Sequence, residues 1–94
     1  MRLRWSRRAV RDLGALQLYI AQDSQAAAQQ QTALILAATR GLTRFPASGR
    51  PGRLTGTREL VVPRTPFVIA YRVRGEIIEI LGVLHGRRRW PKRL

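Results

Sequence analysis

The sequence predicts an α+β domain in the order β-α-α-β-β-β, a helical hairpin packed on a small antiparallel sheet. Two observations carry this. Residues 59–62, 67–73 and 76–84 are short runs rich in Val, Ile, Leu and aromatics, separated by Pro63-Arg64-Thr65-Pro66 and by Arg74-Gly75. Proline cannot donate to a strand ladder and glycine relieves a tight reversal, so such runs read as an antiparallel meander. Upstream, two longer segments repeat their apolar residues at helical spacing. At 94 residues the chain is one domain, 1–94, with room for one modest core.

Each element follows from its local pattern. Met1, Leu3 and Trp5 alternate with Arg2 and Arg4, the period of a half-buried strand. Ser6 can cap the helix that follows, from Arg7 to about Gln22, whose apolar stripe is Ala9, Leu13, Leu16 and Ile20. Ser24 is the next cap. Residues 25–44 are dominated by Ala and Gln, good helix formers of little bulk, with Ala28, Ile35, Ala38, Leu42 and Phe45 marking the face to be buried. Pro46 ends this helix, because proline disfavours helical geometry in the residue before it. Residues 46–57 hold three Gly and two Pro and read as a surface loop, with Arg50 and Arg53 in solvent.

The last three strands set the faces of the sheet. In 67–73 one face carries Phe67, Ile69, Tyr71 and Val73, the other Val68, Ala70 and Arg72. In 76–84, Ile78, Ile80, Gly82 and Leu84 alternate with Ile77, Glu79, Leu81 and Val83. Both faces are therefore substantially apolar, while two helices cover only one. The expectation is an open second face, lined by Val68, Ala70, Ile77, Leu81 and Val83, that grips a protein partner.

Charge points the same way. Eighteen basic residues against five acidic give a net charge of +13, which draws the chain to polyanions or to an acidic protein. There is no Cys and a single His, so neither a disulfide framework nor a zinc centre is expected, and no cofactor. No apolar run follows the basic N-terminus and none is long enough to span a bilayer, so a cytoplasmic protein without membrane contact is expected. The last strand delivers His85 into a cationic tail, Arg87, Arg88, Arg89, Lys92 and Arg93, with Trp90 among them. Trp90 either anchors an interface beside these arginines or folds back onto the core.

Taken together, GRPG at 49–52, REL at 58–60, FVIAYRV at 67–73 and VLHGRRRWP at 83–91, preceded by LTRFP at 42–46 and WSRRAVRDLGALQLYIAQ at 5–22, resemble a ParE-type toxin of the RelE/ParE superfamily. Its most specific part is Tyr71-Arg72 followed by Val83-Leu84-His85-Gly86 and a basic residue. The resemblance covers nearly the whole chain. It implies the toxin of a type II toxin–antitoxin pair, a helical hairpin against an antiparallel sheet, and a cognate antitoxin wrapped around it. Operator DNA would be met only through that antitoxin.

The superfamily houses two activities, so fold alone does not choose between them. RelE-like members cleave messenger RNA on the ribosome; ParE-like members inhibit DNA gyrase by binding. Metal-free RNA cleavage needs a base for the 2′-hydroxyl, an acid for the leaving oxygen and cations for the phosphorane. His85 can be one proton carrier, with Arg64, Arg72 and Arg87 as cations. A second carrier is harder to find, since Tyr71 alternates with core residues and Gly86 follows His85. Gyrase inhibition is therefore favoured, with Arg87, Arg88, Arg89, Trp90, Arg64 and Arg72 as target-binding residues. The mRNA endonuclease is the alternative, and a small nucleic-acid-binding module the third reading.

Overall fold

The computed structural model describes all residues, 1–94. Seven elements follow one another: β1 (Arg2–Trp5), α1 (Arg7–Ala21), α2 (Gln25–Gly41), β2 (Arg50–Pro51), β3 (Arg58–Val61), β4 (Phe67–Arg74) and β5 (Ile77–His85). The two helices pack on one five-stranded sheet of order β1-β5-β4-β3-β2. The expected α+β order is present, with a two-residue strand, β2, added from the loop. The sheet is mixed rather than purely antiparallel, because β1, which precedes the helical hairpin, lies parallel to β5 at the edge of the sheet.

Both helices start on the serines that the sequence marks. Ser6 Oγ accepts the Ala9 N–H at 3.0 Å, and Ser24 Oγ accepts that of Ala27 at 3.0 Å. Ala9 and Leu16 of α1 and Ile35 of α2 enter the core; Leu42, just past α2, joins them. The second helix stops short of Phe45, which is 67% exposed rather than buried. The reason is local: Leu42, Thr43 and Arg44 each bond the carbonyl three residues back. That tighter turn rotates Phe45 off the stripe that a regular helix would have continued.

Strand register decides which residues meet the helices. Phe67 pairs with His85, Ile69 with Val83, Tyr71 with Ile80 and Val73 with Ile78. The expected alternation in the last strand fails at one point, where an irregularity beside Ala70 and Tyr71 inserts Leu81 as an unpaired residue. Such a bulge shifts every later side chain to the other face. Val83 consequently lies in the helix-side core with Ile78 and Ile80, while Gly82 and Leu84 pass to the outer face.

The outer face is not open. Val68, Ala70 and Leu81 are buried within the chain itself, and Ile77 is half-buried. Over Arg72 and Leu81 the cover comes from the loop 52–57 and from the tail. Arg53, Leu54, Thr55, Thr57, Lys92, Arg93 and Leu94 surround one shallow hollow over Arg72 and Leu81. A Cβ on Gly82 would stand 3.2 Å from the Leu94 side chain. A loop that reads as solvated from its Gly and Pro content thus becomes a lid, because a buried carboxylate, Glu59, holds it down.

Candidate functional site

Past Trp5 the chain turns into α1, so residues 81–85 of β5 have no neighbouring strand on one edge. An unpaired edge invites unwanted pairing unless its polar groups are occupied. Here side chains occupy them. Ser6 Oγ donates to the Leu81 carbonyl at 3.2 Å, Asp12 Oδ2 accepts the Val83 N–H at 3.0 Å, and Trp90 Nε1 donates to the His85 carbonyl at 3.1 Å. The tail is therefore part of the edge's protection, and Trp90 is its fixed point. Of the two sequence readings of Trp90, the structure shows the one in which it folds back, and the ring also borders a cleft.

That cleft, of about 400 Å³, runs between α1 and the tail and is walled by Leu16, Tyr19, Phe67, Val83 and Trp90, with Arg88 and Arg89 at its margin. Arg88 stands 5.8 Å from the centre of the Tyr19 ring. Arg87, Arg88 and Arg89 are exposed and form no ion pair.

On the other side of His85 lies a second recess, of about 550 Å³, lined by Arg50, Arg64, Thr65, His85, Gly86 and Arg87 among others. It gathers three of the residues proposed for RNA chemistry, His85, Arg64 and Arg87, and adds Arg50. His85 Nδ1 accepts the Arg87 N–H at 3.2 Å, and its ring stands edge-on to Phe67 with centroids 5.9 Å apart. The imidazole is thus oriented by its own chain and keeps Nε2 for any other partner. Arg64 is held with φ at +67°, a left-handed backbone that costs a non-glycine residue on the order of 1–2 kcal/mol. Thr65 fixes that turn, its hydroxyl donating to the Val62 carbonyl and accepting the Phe67 N–H. Arg64→Gly is expected to leave stability equal or raised by about 1 kcal/mol while removing a cation from the recess, read as a chemical-denaturation midpoint.

Two candidates fall elsewhere. Arg72 lies on the outer face, where its Nε donates to Glu79 Oε1 at 2.8 Å, and Arg74 flanks the same carboxylate. The Arg72 hydrogen bond, joined by the charges of Arg72, Arg74 and Arg4, holds Glu79 below the usual carboxylate range against the opposing effect of desolvation. Tyr71 is fully buried. Its hydroxyl donates to the Pro46 carbonyl at 2.7 Å and accepts the Gly49 N–H at 2.9 Å, so it seats the loop rather than facing a substrate. Tyr71→Phe should cost roughly 1–3 kcal/mol in urea unfolding, by leaving those two groups unpartnered.

The residue that sequence reasoning passed over is Arg53. Its guanidinium lies 3.8 Å above the Trp90 ring and Nη2 donates to the Gly86 carbonyl at 3.4 Å. Its own N–H donates to Glu59 Oε2 at 2.7 Å. No spacing signal connects positions 53, 59 and 90, because the contact exists only once loop, strand and tail are folded together. His, Asp and Glu side chains nowhere gather in threes as a metal centre would need. No helix is long and apolar enough to cross a membrane.

Comparison with known proteins bears on these features together. The family model described as the ParE toxin of the type II toxin–antitoxin system parDE matches residues 3–90. The chain is 44% identical over 91 residues to "Putative toxin Y4kP" of Sinorhizobium fredii, covering 97% of this chain and 94% of that protein. It is 36% identical over 84 residues to Toxin RelE2 of Caulobacter vibrioides, covering 89% and 93%. Among solved structures, a chain of the chromosomal ParDE toxin–antitoxin system from P. aeruginosa superimposes with a TM-score of 0.78 at 31% identity, over 88% of this chain and 92% of that one.

Proposed function

The chain belongs to the ParE toxin family of type II toxin–antitoxin systems, and from that premise we propose that it acts in the cytoplasm by binding and inhibiting DNA gyrase, silenced by a cognate antitoxin. The observation that carries this reading is the way the candidate chemistry separates. Tyr71 is spent on the loop and Arg72 on Glu79, which leaves His85 as the one proton carrier beside Arg64, Arg87 and Arg50. General acid–base cleavage needs two. What the surface offers instead is binding chemistry: three adjoining arginines free of acids, held between His85 and Trp90 beside an apolar cleft. Arginine forks suit carboxylate and phosphate alike, and aromatic neighbours supply anchoring area.

The antitoxin remains part of the proposal, but burial moves its contact. Val68 and Ala70 are buried, reaching Leu81 would require lifting loop and tail together, and Val83 belongs to the helix-side core. The outward side of α1 is accessible, with Arg7 and Arg11 on the same face as Leu18, which is 74% exposed. An acidic segment carrying apolar residues complements such a surface.

The second reading, a ribosome-dependent messenger RNA endonuclease, is favoured by the convergence of His85, Arg64 and Arg87 and by the similarity to a protein named RelE2. One experiment separates the two. The purified chain is added to a gyrase supercoiling and cleavage assay and, in parallel, to ribosomes translating a defined message. Loss of supercoiling with an intact message supports gyrase inhibition. Codon-phased cuts with supercoiling untouched overturn it.

A further inference from the structure

We infer that Arg53, seated by Glu59, is the positioning residue for the cationic tail, an inference that rests on the tail being the gyrase-binding surface. Residues 86–90 form a short bridge carrying Arg87, Arg88 and Arg89. One end is set by the sheet, where the Gly86 N–H donates to the Pro66 carbonyl at 2.9 Å. The other end is Trp90, bonded to the His85 carbonyl. Arg53 touches both ends at once, bonding the Gly86 carbonyl and stacking on the Trp90 ring.

Arg53 can do so because it is itself held. Glu59 is 2% exposed, and its carboxylate takes the Arg53 N–H at 2.7 Å and lies 3.6 Å from Arg53 Nε, with Arg50 on its other oxygen at 3.2 Å. A buried carboxylate persists only where it is paired and hydrogen-bonded, so it fixes the loop backbone as well as the side chain. With both ends fixed, the three arginines meet a target already arranged, and the target need not order them. Without Arg53 the bridge keeps the Gly86 N–H bond, the turn bonds of Arg87 and Arg88 to His85 and the indole hydrogen bond, but Trp90 loses the only group stacked on its ring.

The test reads the tail directly. In a Trp5→Phe background Trp90 is the only indole. Arg53→Ala is expected to red-shift its emission and to raise its quenching by acrylamide, and to raise the half-inhibitory concentration against gyrase about tenfold, the loss of one cation–π contact and one hydrogen bond. Arg53→Lys keeps the charge beside Glu59 but not the planar stack, and should reproduce the emission shift; it carries the test if Arg53→Ala does not fold. Unchanged Trp90 emission in either variant overturns the inference, as does a shifted emission with unchanged inhibition. The underlying reading fails separately: if alanine at 87, 88 and 89 leaves inhibition intact, the tail is not the binding surface, and Arg53 then positions nothing that acts on gyrase.

Discussion

Replacing Arg87, Arg88 and Arg89 together by alanine is expected to raise the half-inhibitory concentration against gyrase by roughly a hundredfold or more, with antitoxin affinity changed less than about threefold. Arginines at interface centres commonly account for more than about 2 kcal/mol each when truncated, and their effects do not simply add. Stability should hardly move, because all three are exposed and none has an acidic partner. Supercoiling titrations with the variant and its parent, alongside calorimetric titration with the antitoxin, read both quantities. Equal loss in the two assays would mean the arginines serve a general electrostatic role, and intact inhibition would remove the tail from the mechanism.

This charge-only variant is more informative than deleting residues 87–94. Deletion also removes the Trp90 bond to the His85 carbonyl and the Leu94 side chain beside Gly82. It would uncover Leu81 and strip one of the groups closing the β5 edge. A truncated chain that lost activity could have lost it by unfolding or by self-association.

The element order and the helix caps are legible in the sequence because they depend on local chemistry: a serine ahead of an apolar stripe, a proline after one, a glycine between strands. The helix-side core of Phe67, Ile69, Tyr71, Ile78 and Ile80 is legible for the same reason, since period-two alternation is a local signal. The bulge at Leu81 is not. Nothing in Ile80-Leu81-Gly82 distinguishes a continuous strand from one that skips a residue, and the choice is made by the partners of the skipped segment, Ser6 and Asp12, more than 70 residues away. The premise of an open outer face fails by the same mechanism. Counting two helices against two apolar faces omits irregular segments as cover, and here a Gly-rich loop and a basic tail supply it. The candidate site divides along this line too: its cations are visible as a run, whereas the Glu59–Arg53–Trp90 connection that orders them requires three separate segments to be folded.

The loop's attachment makes Gly49 the position where the smallest change should do the most damage. Gly49→Ala is expected to cost about 3 kcal/mol or more, lowering the thermal midpoint by something over 10 °C for a domain of this size. The added Cβ would lie 2.7 Å from both Cε1 and the hydroxyl of Tyr71 and 2.8 Å from the Glu59 carbonyl oxygen. Neither can give way, for Tyr71 fills the core and Glu59 belongs to the β2–β3 pairing. The Gly49 carbonyl is also taken, accepting Arg58 Nη1 at 2.7 Å, so the residue cannot swing outward without further loss. Gly14→Ala supplies the contrast: a Cβ there meets nothing within 4 Å in mid-helix, and should add roughly 0.5–1 kcal/mol. Thermal melts of the two variants decide whether the loop is seated as tightly as these contacts require, and a Gly49→Ala midpoint within a few degrees of the parent would refute it. Because Arg53 lies four residues along the same loop, a loosened Gly49 should also free Trp90. A stability defect and a more exposed indole are therefore expected to appear together.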